Sequence, residues 1–239
     1  MIRHAPTLAS ATSTVVEEEA CVLVPVGAVE QHGPHLPLDT DSVIAAAVAA
    51  GAATELADRG HRVLVAPALS YGASGEHQDF AGTSSIGSQA LRVVLVELTR
   101  SMRTWARRVV FVNAHGGNVA ALRSVVAQLT EEGHDVDWVP CVTEGEGDLH
   151  AGRTETSLML HLHPWDVRMS RAEAGNTGTL EELLPLMREG GVKAVSHNGV
   201  LGDPTGASAG EGRWLLAALV RDVVARVAEA EPRWERLEP

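Results

Sequence analysis

The chain has 239 residues, 45% of them apolar, and sets 19 Lys and Arg against 31 Asp and Glu for a formal charge of −12 at pH 7. That acid surplus excludes a nucleic-acid binder, which needs a basic stripe to neutralise phosphates. The apolar content suffices for a substantial core and excludes disorder over most of the length.

The opening segment through Ser13, rich in Ser, Thr and Ala, reads as a loose arm ahead of a single domain over residues 14–239. Val-rich runs at 21–26, 63–68, 109–112 and 136–142, bounded by Gly, Pro or Asn, predict strands buried on both faces of a parallel sheet. Helical stretches at 42–59, 88–103 and 119–132 lie between them, the first capped by Asp41 and the third by Asn118. Strand and helix in alternation give an α/β fold with right-handed crossovers, a single-domain parallel-sheet sandwich flanked by helices. Farther on, 176–191 carries Leu180, Leu183, Leu184 and Met187 at helical spacing, read as packing within the subunit, and 207–230 predicts a last helix over one sheet face. Cys21 and Cys141 lie far apart in apolar stretches, which predicts buried thiols rather than a disulfide or a CxxC metal site. No apolar run reaches the roughly 18 residues of a membrane span, and the N-terminus lacks the layout of a signal peptide. A cytoplasmic protein with no membrane partner is expected.

The unusual residues fall after the strands: EQHGPHLPLDTD after the first, YGASGEHQDFAGT after the second, NAHGGN after the third and EGEGDLHAGRTETS after the fourth. Loops at the carboxyl ends of parallel strands share one rim, where ligands bind. Glu30 and His32 stand one residue apart, and Asp41 falls in the first turn of the next helix. Mixed oxygen and nitrogen donors without thiolates suit Zn, Mn or Fe(II) and argue against a closed structural zinc site. His115 would add an imidazole, and Glu155, at the start of a helix over 154–162, a third carboxylate. Three carboxylates on one rim repel unless cations neutralise them, so one or two divalent metals are expected. Taken singly, Glu30 and His32 also read as ordinary polar loop residues, and Glu155 as an acid favoured at a helix N-terminus. As a set they point to a site. His35, His61, His134, His161, His163 and His197 lack such support and read as structural, as do Phe80 and Trp165. GASGE lacks the closing glycine of a serine-hydrolase elbow, and no Walker A loop precedes the single lysine, Lys193.

In this order and spacing, EQHGPHLPLDTD, EHQDFAGT, NAHGGN and HAGRTETS resemble the motifs of the creatininase family of metal-dependent amidohydrolases, over about 22–212. YGASGEHQDFAGT, WARRVVFVNAHGGNVAAL and GVLGDPTGASAGEG are especially similar to a subgroup of peptidases that act in the biosynthesis of a peptide-derived cofactor. The resemblance implies metal ligands at Glu30, His32, Asp41 and His115, with Asp41 bridging two divalent ions, Zn and/or Fe(II) or Mn. Creatininase has a glutamate two residues after the third-motif histidine, where this chain has Gly117. In relatives with HGGN the ETS glutamate resembles its replacement, here Glu155, and the difference speaks against creatinine as substrate. His150 resembles the family's non-ligand histidine beside the scissile bond and is the candidate general acid, able to hold a proton near pH 7. Glu76 and His77 read equally as residues that orient substrate and as residues that hydrogen-bond within their loop. The implied substrate is a modified ribosomal precursor peptide, and the implied assembly a homo-oligomer. Competing readings are hydrolysis of a small cyclic amide or formamide and, in another class, a non-catalytic binding module, which should have lost the ligand residues.

Overall fold

In the computed structural model, residues 7–16, 18–142 and 148–229 are described. Four parallel strands, β1 (Cys21–Val26), β2 (Val63–Val65), β3 (Arg108–Asn113) and β4 (Val136–Pro140), form one sheet in the order β2-β1-β3-β4. Every residue of β1 and β3 is buried, as expected of central strands with helices on both faces. Their side chains alternate between two cores. Cys21, Leu23, Val110 and Val112 face α1 (Thr40–Asp58), α4 (Arg153–Leu162) and α6 (Ala209–Glu229). Val22, Val24, Val109 and Phe111 face α2 (Gly87–Met102) and α3 (Val119–Glu131). Full burial stabilises each such Val, Leu or Phe by roughly 1.5–3 kcal/mol relative to exposure.

The outer strands depart from the expected double burial. Asp137 and Trp138 of β4 are half-buried because that strand is an edge. β2 stops at Val65 rather than running to 68: the Ala66 N–H still donates to Leu23, but Pro25 of β1 has no N–H to return, and Leu69 rather than Ala68 donates to the Pro25 carbonyl. Within the segment expected as a loose arm, Thr7 pairs with Val65 and Leu8 packs on the second core, while residues 1–6 lie outside the described ones. Cys141 is half-buried rather than sealed in the core, and burial pushes its thiol up to about 12, so it is unreactive at neutral pH.

α5 (Leu180–Gly190) begins at a capping box, with the Glu182 N–H donating to Thr179 Oγ1 and the Thr179 N–H to Glu182 Oε2. Leu183 packs against Val192 and Leu201, but Leu180 and Leu186 are half-exposed, so only part of the apolar stripe is core. Phe80 packs on this small cluster. Trp165 does not join a core: it is 75% exposed and stacks on His163. Among the described residues, no helix is long and apolar enough to cross a membrane.

The chain runs from β1 outward to β2, then crosses to the other side of β1 for β3 and β4. The loops leaving β1 and β3 therefore diverge, opening a crevice at the carboxyl ends of the two central strands. EQH leaves β1 there and NAHGGN leaves β3.

Candidate metal centre

At this crevice Glu30, His32, Asp41, His115 and His150 are buried, and Glu155 is half-buried. Glu30, Asp41 and His115 each offer a donor atom within 4.8 Å of the others, and so do His32, Asp41 and Glu155. Asp41 is common to both triads, because α1 begins one residue before it and turns its side chain inward. That orientation overturns the expected cap: Asp39 holds the N-cap position, and neither it nor Asp41 caps through its side chain.

Hydrogen bonds fix which edge each imidazole presents. His32 Nδ1 lies 3.1 Å from the Glu30 main-chain carbonyl and donates to it. Its Nε2 then faces Asp41 Oδ1 at 3.1 Å and Glu155 Oε2 at 3.9 Å. His115 Nε2 lies 3.2 Å from the Ala73 carbonyl, so its Nδ1 faces Glu30 Oε1 at 3.2 Å and Asp41 Oδ2 at 3.4 Å. Lone pairs opposed to carboxylate oxygens repel unless a proton or cation lies between them. Both Glu30 oxygens and Asp41 Oδ2 are buried without a hydrogen-bond partner. Burial alone would depress the His32 pKa, but Asp41, with Glu155 and Glu30 behind it, holds it up at about 10. Asp41 shows the reverse balance: burial raises its pKa, and His32 and His115 pull it well below the usual carboxylate range. Burial and then Asp41 raise that of Glu155. The residues demand positive charge at two adjoining points, and the donor set fits divalent cations there.

Several residues that the sequence reading left aside build this arrangement. Asn118, expected as a helix cap, makes no cap hydrogen bond. Its amide donates to the Gly27 carbonyl at 3.0 Å and to Asn113 Oδ1 at 3.1 Å, and its Oδ1 accepts from Ala73 N–H at 2.9 Å. It thus ties three rim loops together. Asp148 accepts from the main-chain N–H groups of Arg153 and Thr154, and so holds the start of α4, which carries Glu155. His35 Nε2 meets Thr156 Oγ1 at 2.9 Å, a second tie between the first loop and α4. Residues 143–147 of the fourth loop lie outside the described residues.

Glu76 and His77 face the cluster. Glu76 Oε1 lies 3.4 Å from His115 Nε2, and His77 Nε2 lies 3.3 Å from Glu30 Oε1. A Cβ at position 117 would collide with Glu76 Oε1, His115 Nε2 and the Ala73 carbonyl, so Gly117 is required for the carboxylate to stand behind the imidazole. Gly117→Ala is expected to cost about 1–3 kcal/mol, the range for overpacking, and to weaken metal binding; thermal denaturation and metal titration measure both. His150 Nε2 meets the Gln31 carbonyl at 2.7 Å and its Nδ1 faces Glu30 Oε1 at 3.7 Å. Burial and then His32 push its pKa down to about 4, so it is neutral at pH 7 rather than proton-bearing. A groove of about 450 Å³ opens beside this network, with Gln31, Leu38, Phe80, Glu173, Lys193 and His197 among its walls, and neither Glu76 nor His77 lines it. Lys193 Nζ sits 4.6 Å over the Phe80 ring.

The creatininase (creatinine amidohydrolase) signature matches residues 7–227, and the chain belongs to that family. It is 56% identical over 232 residues to the mycofactocin precursor peptide peptidase of Mycobacterium tuberculosis (strain CDC 1551 / Oshkosh), covering 95% of this chain and 92% of that one. Among solved structures, a type II tryptophan-to-phenylalanine mutant of creatininase superposes with a TM-score of 0.78 at 25% identity, over 95% of this chain and 98% of the other. A glutamate-to-glutamine mutant creatininase described as a zinc–zinc type superposes with a TM-score of 0.73 at 25% identity, over 90% and 92%.

Proposed function

We propose that this chain is a metal-dependent peptidase that hydrolyses an amide bond of the mycofactocin precursor peptide. The bond is the Gly–Val linkage, and the product is the modified C-terminal dipeptide derived from Val and Tyr. Two features support the reading: identity to a peptidase of that name over nearly the whole chain, and buried carboxylate oxygens opposed to imidazole nitrogens. The second carries the chemistry.

Glu30, Asp41 and His115 would hold one divalent cation, and His32, Asp41 and Glu155 a second, drawn from Zn, Fe(II) and Mn. Bound there, such ions polarise the amide carbonyl and bring the pKa of a water molecule towards neutrality. The Ala73 carbonyl keeps His115 Nδ1 directed at the carboxylates by accepting from the opposite Nε2–H edge, with Glu76 Oε1 3.4 Å from the same nitrogen. His150 enters the reaction neutral, with Nδ1 on the cluster side. It takes a proton from the attacking water and delivers it to the leaving nitrogen, without which an amine is a poor leaving group. The groove lined by Gln31, Phe80 and Lys193 holds the peptide, and a closed homo-oligomer working in the cytoplasm belongs to the same proposal.

Incubation with the matured precursor peptide followed by mass spectrometry tests the function. Release of the cross-linked dipeptide is the expected outcome. Intact peptide, beside turnover of a small cyclic amide or formamide, would transfer the same centre to the other reading.

A further inference from the structure

Gln31 stands between two residues of the cluster and is itself 5% exposed. Two main-chain groups fix the sense of its amide: the Gly33 N–H donates to Oε1 at 2.9 Å, and Nε2 donates to the Gly199 carbonyl at 3.0 Å. Nε2 therefore lies 2.8 Å from His77 Nδ1 and 3.1 Å from His150 Nε2. His150 Nε2 is also 2.7 Å from the Gln31 main-chain carbonyl, which can only accept. The proton of neutral His150 is thus on Nε2, and that nitrogen cannot accept from the amide. The two amide protons go to the Gly199 carbonyl and to His77 Nδ1, which leaves the His77 proton on Nε2.

We propose that Gln31 is a positioning residue that sets the tautomers of both histidines. Its main-chain carbonyl holds His150 as the Nε2–H form, so that Nδ1, 3.7 Å from Glu30 Oε1, is the nitrogen available to a reacting group. Its side-chain amide holds His77 as the Nε2–H form, so that an N–H edge and not a lone pair faces the Glu30 carboxylate at 3.3 Å. With the opposite tautomer, His77 would set a lone pair against Glu30 and compete for the position of its carboxylate. Gln31 also lines the groove and so joins the buried histidine pair to the surface where substrate arrives.

The tautomers can be read directly, independently of substrate. Ring ¹H–¹⁵N correlation spectra of the zinc-loaded protein with ¹⁵N-labelled histidine, assigned through His77→Gln and His150→Gln, are expected to show both residues protonated at Nε2. In Gln31→Glu, whose side chain of nearly the same shape only accepts, His77 is expected to gain a proton on Nδ1. His150 keeps its pattern there, since the main-chain carbonyl is unchanged. A wild-type spectrum with the proton of either residue on Nδ1, or a His77 pattern unaltered in Gln31→Glu, overturns the proposal. If Gln31→Glu does not fold, the wild-type spectrum alone decides. The kinetic consequence rests on the peptidase reading: kcat of Gln31→Glu on the precursor peptide falls about 10-fold to 100-fold, the range for residues supporting metal ligands. Absence of cleavage by the wild type would defeat that reading and leave the spectra to judge the tautomers.

Discussion

Asp41→Ala is expected to abolish high-affinity binding of both divalent ions and to lower kcat/KM by about a thousandfold or more, since bound metals supply several kcal/mol of transition-state stabilisation. The reason is geometric. Asp41 Oδ1 faces His32 and Oδ2 faces His115, so one carboxylate serves both triads, whereas Glu155 belongs to only one. Glu155→Ala should therefore keep one ion and lose the other. Thermal melting separates this from a merely structural effect. A ligand at a hundred times its Kd stabilises the folded state by about 2.7 kcal/mol, so wild type should melt higher when zinc or manganese is added. Asp41→Ala should show almost none of that gain, and Glu155→Ala part of it. Equal metal-induced shifts in wild type and Asp41→Ala would remove Asp41 from the ligand set.

His150→Ala should behave differently, retaining both metals while losing about 10²-fold to 10⁴-fold in kcat, the range for a positioned acid–base group. The fold around it should survive, because the main chain of His150 pairs with Leu201 through both its N–H and its carbonyl whatever the side chain. The loss should shrink for a substrate whose leaving group needs no proton, such as an activated ester of the same peptide, because His150 supplies the proton an amine requires. Near-normal peptide turnover with full metal occupancy would refute the role. A loss equal for ester and amide would remove His150 from protonation of the leaving group and leave it at most the base towards water.

The sheet was legible because its central strands are continuous Val-rich runs, the pattern of strands buried on both faces. The edge strands β2 and β4 end short of 68 and 142, since an apolar run does not reveal where pairing with the neighbouring strand stops. The cluster of candidate ligands was legible because each member lies in a loop, or at the start of a helix, that follows a strand on the shared rim. Support for that set was hidden for a consistent reason. Gln31 reaches His77 and His150, and Asn118 reaches Gly27 and Ala73, across sequence separations that no local pattern encodes. Asn118 followed by a helical stretch looks like an ordinary cap until the other two loops are in place. Glu76 and His77 were open between substrate contact and loop hydrogen bonds for a related reason: only tertiary packing against Gly117 and Glu30 shows that they face the cluster.

Metal analysis of protein purified without added ions, run beside cleavage of the matured precursor peptide before and after chelation, tests the central claim most directly. The expected result is two equivalents of divalent metal per chain, with cleavage lost on chelation and restored by adding zinc, manganese or ferrous iron. Full cleavage by folded protein that carries no divalent metal would contradict it.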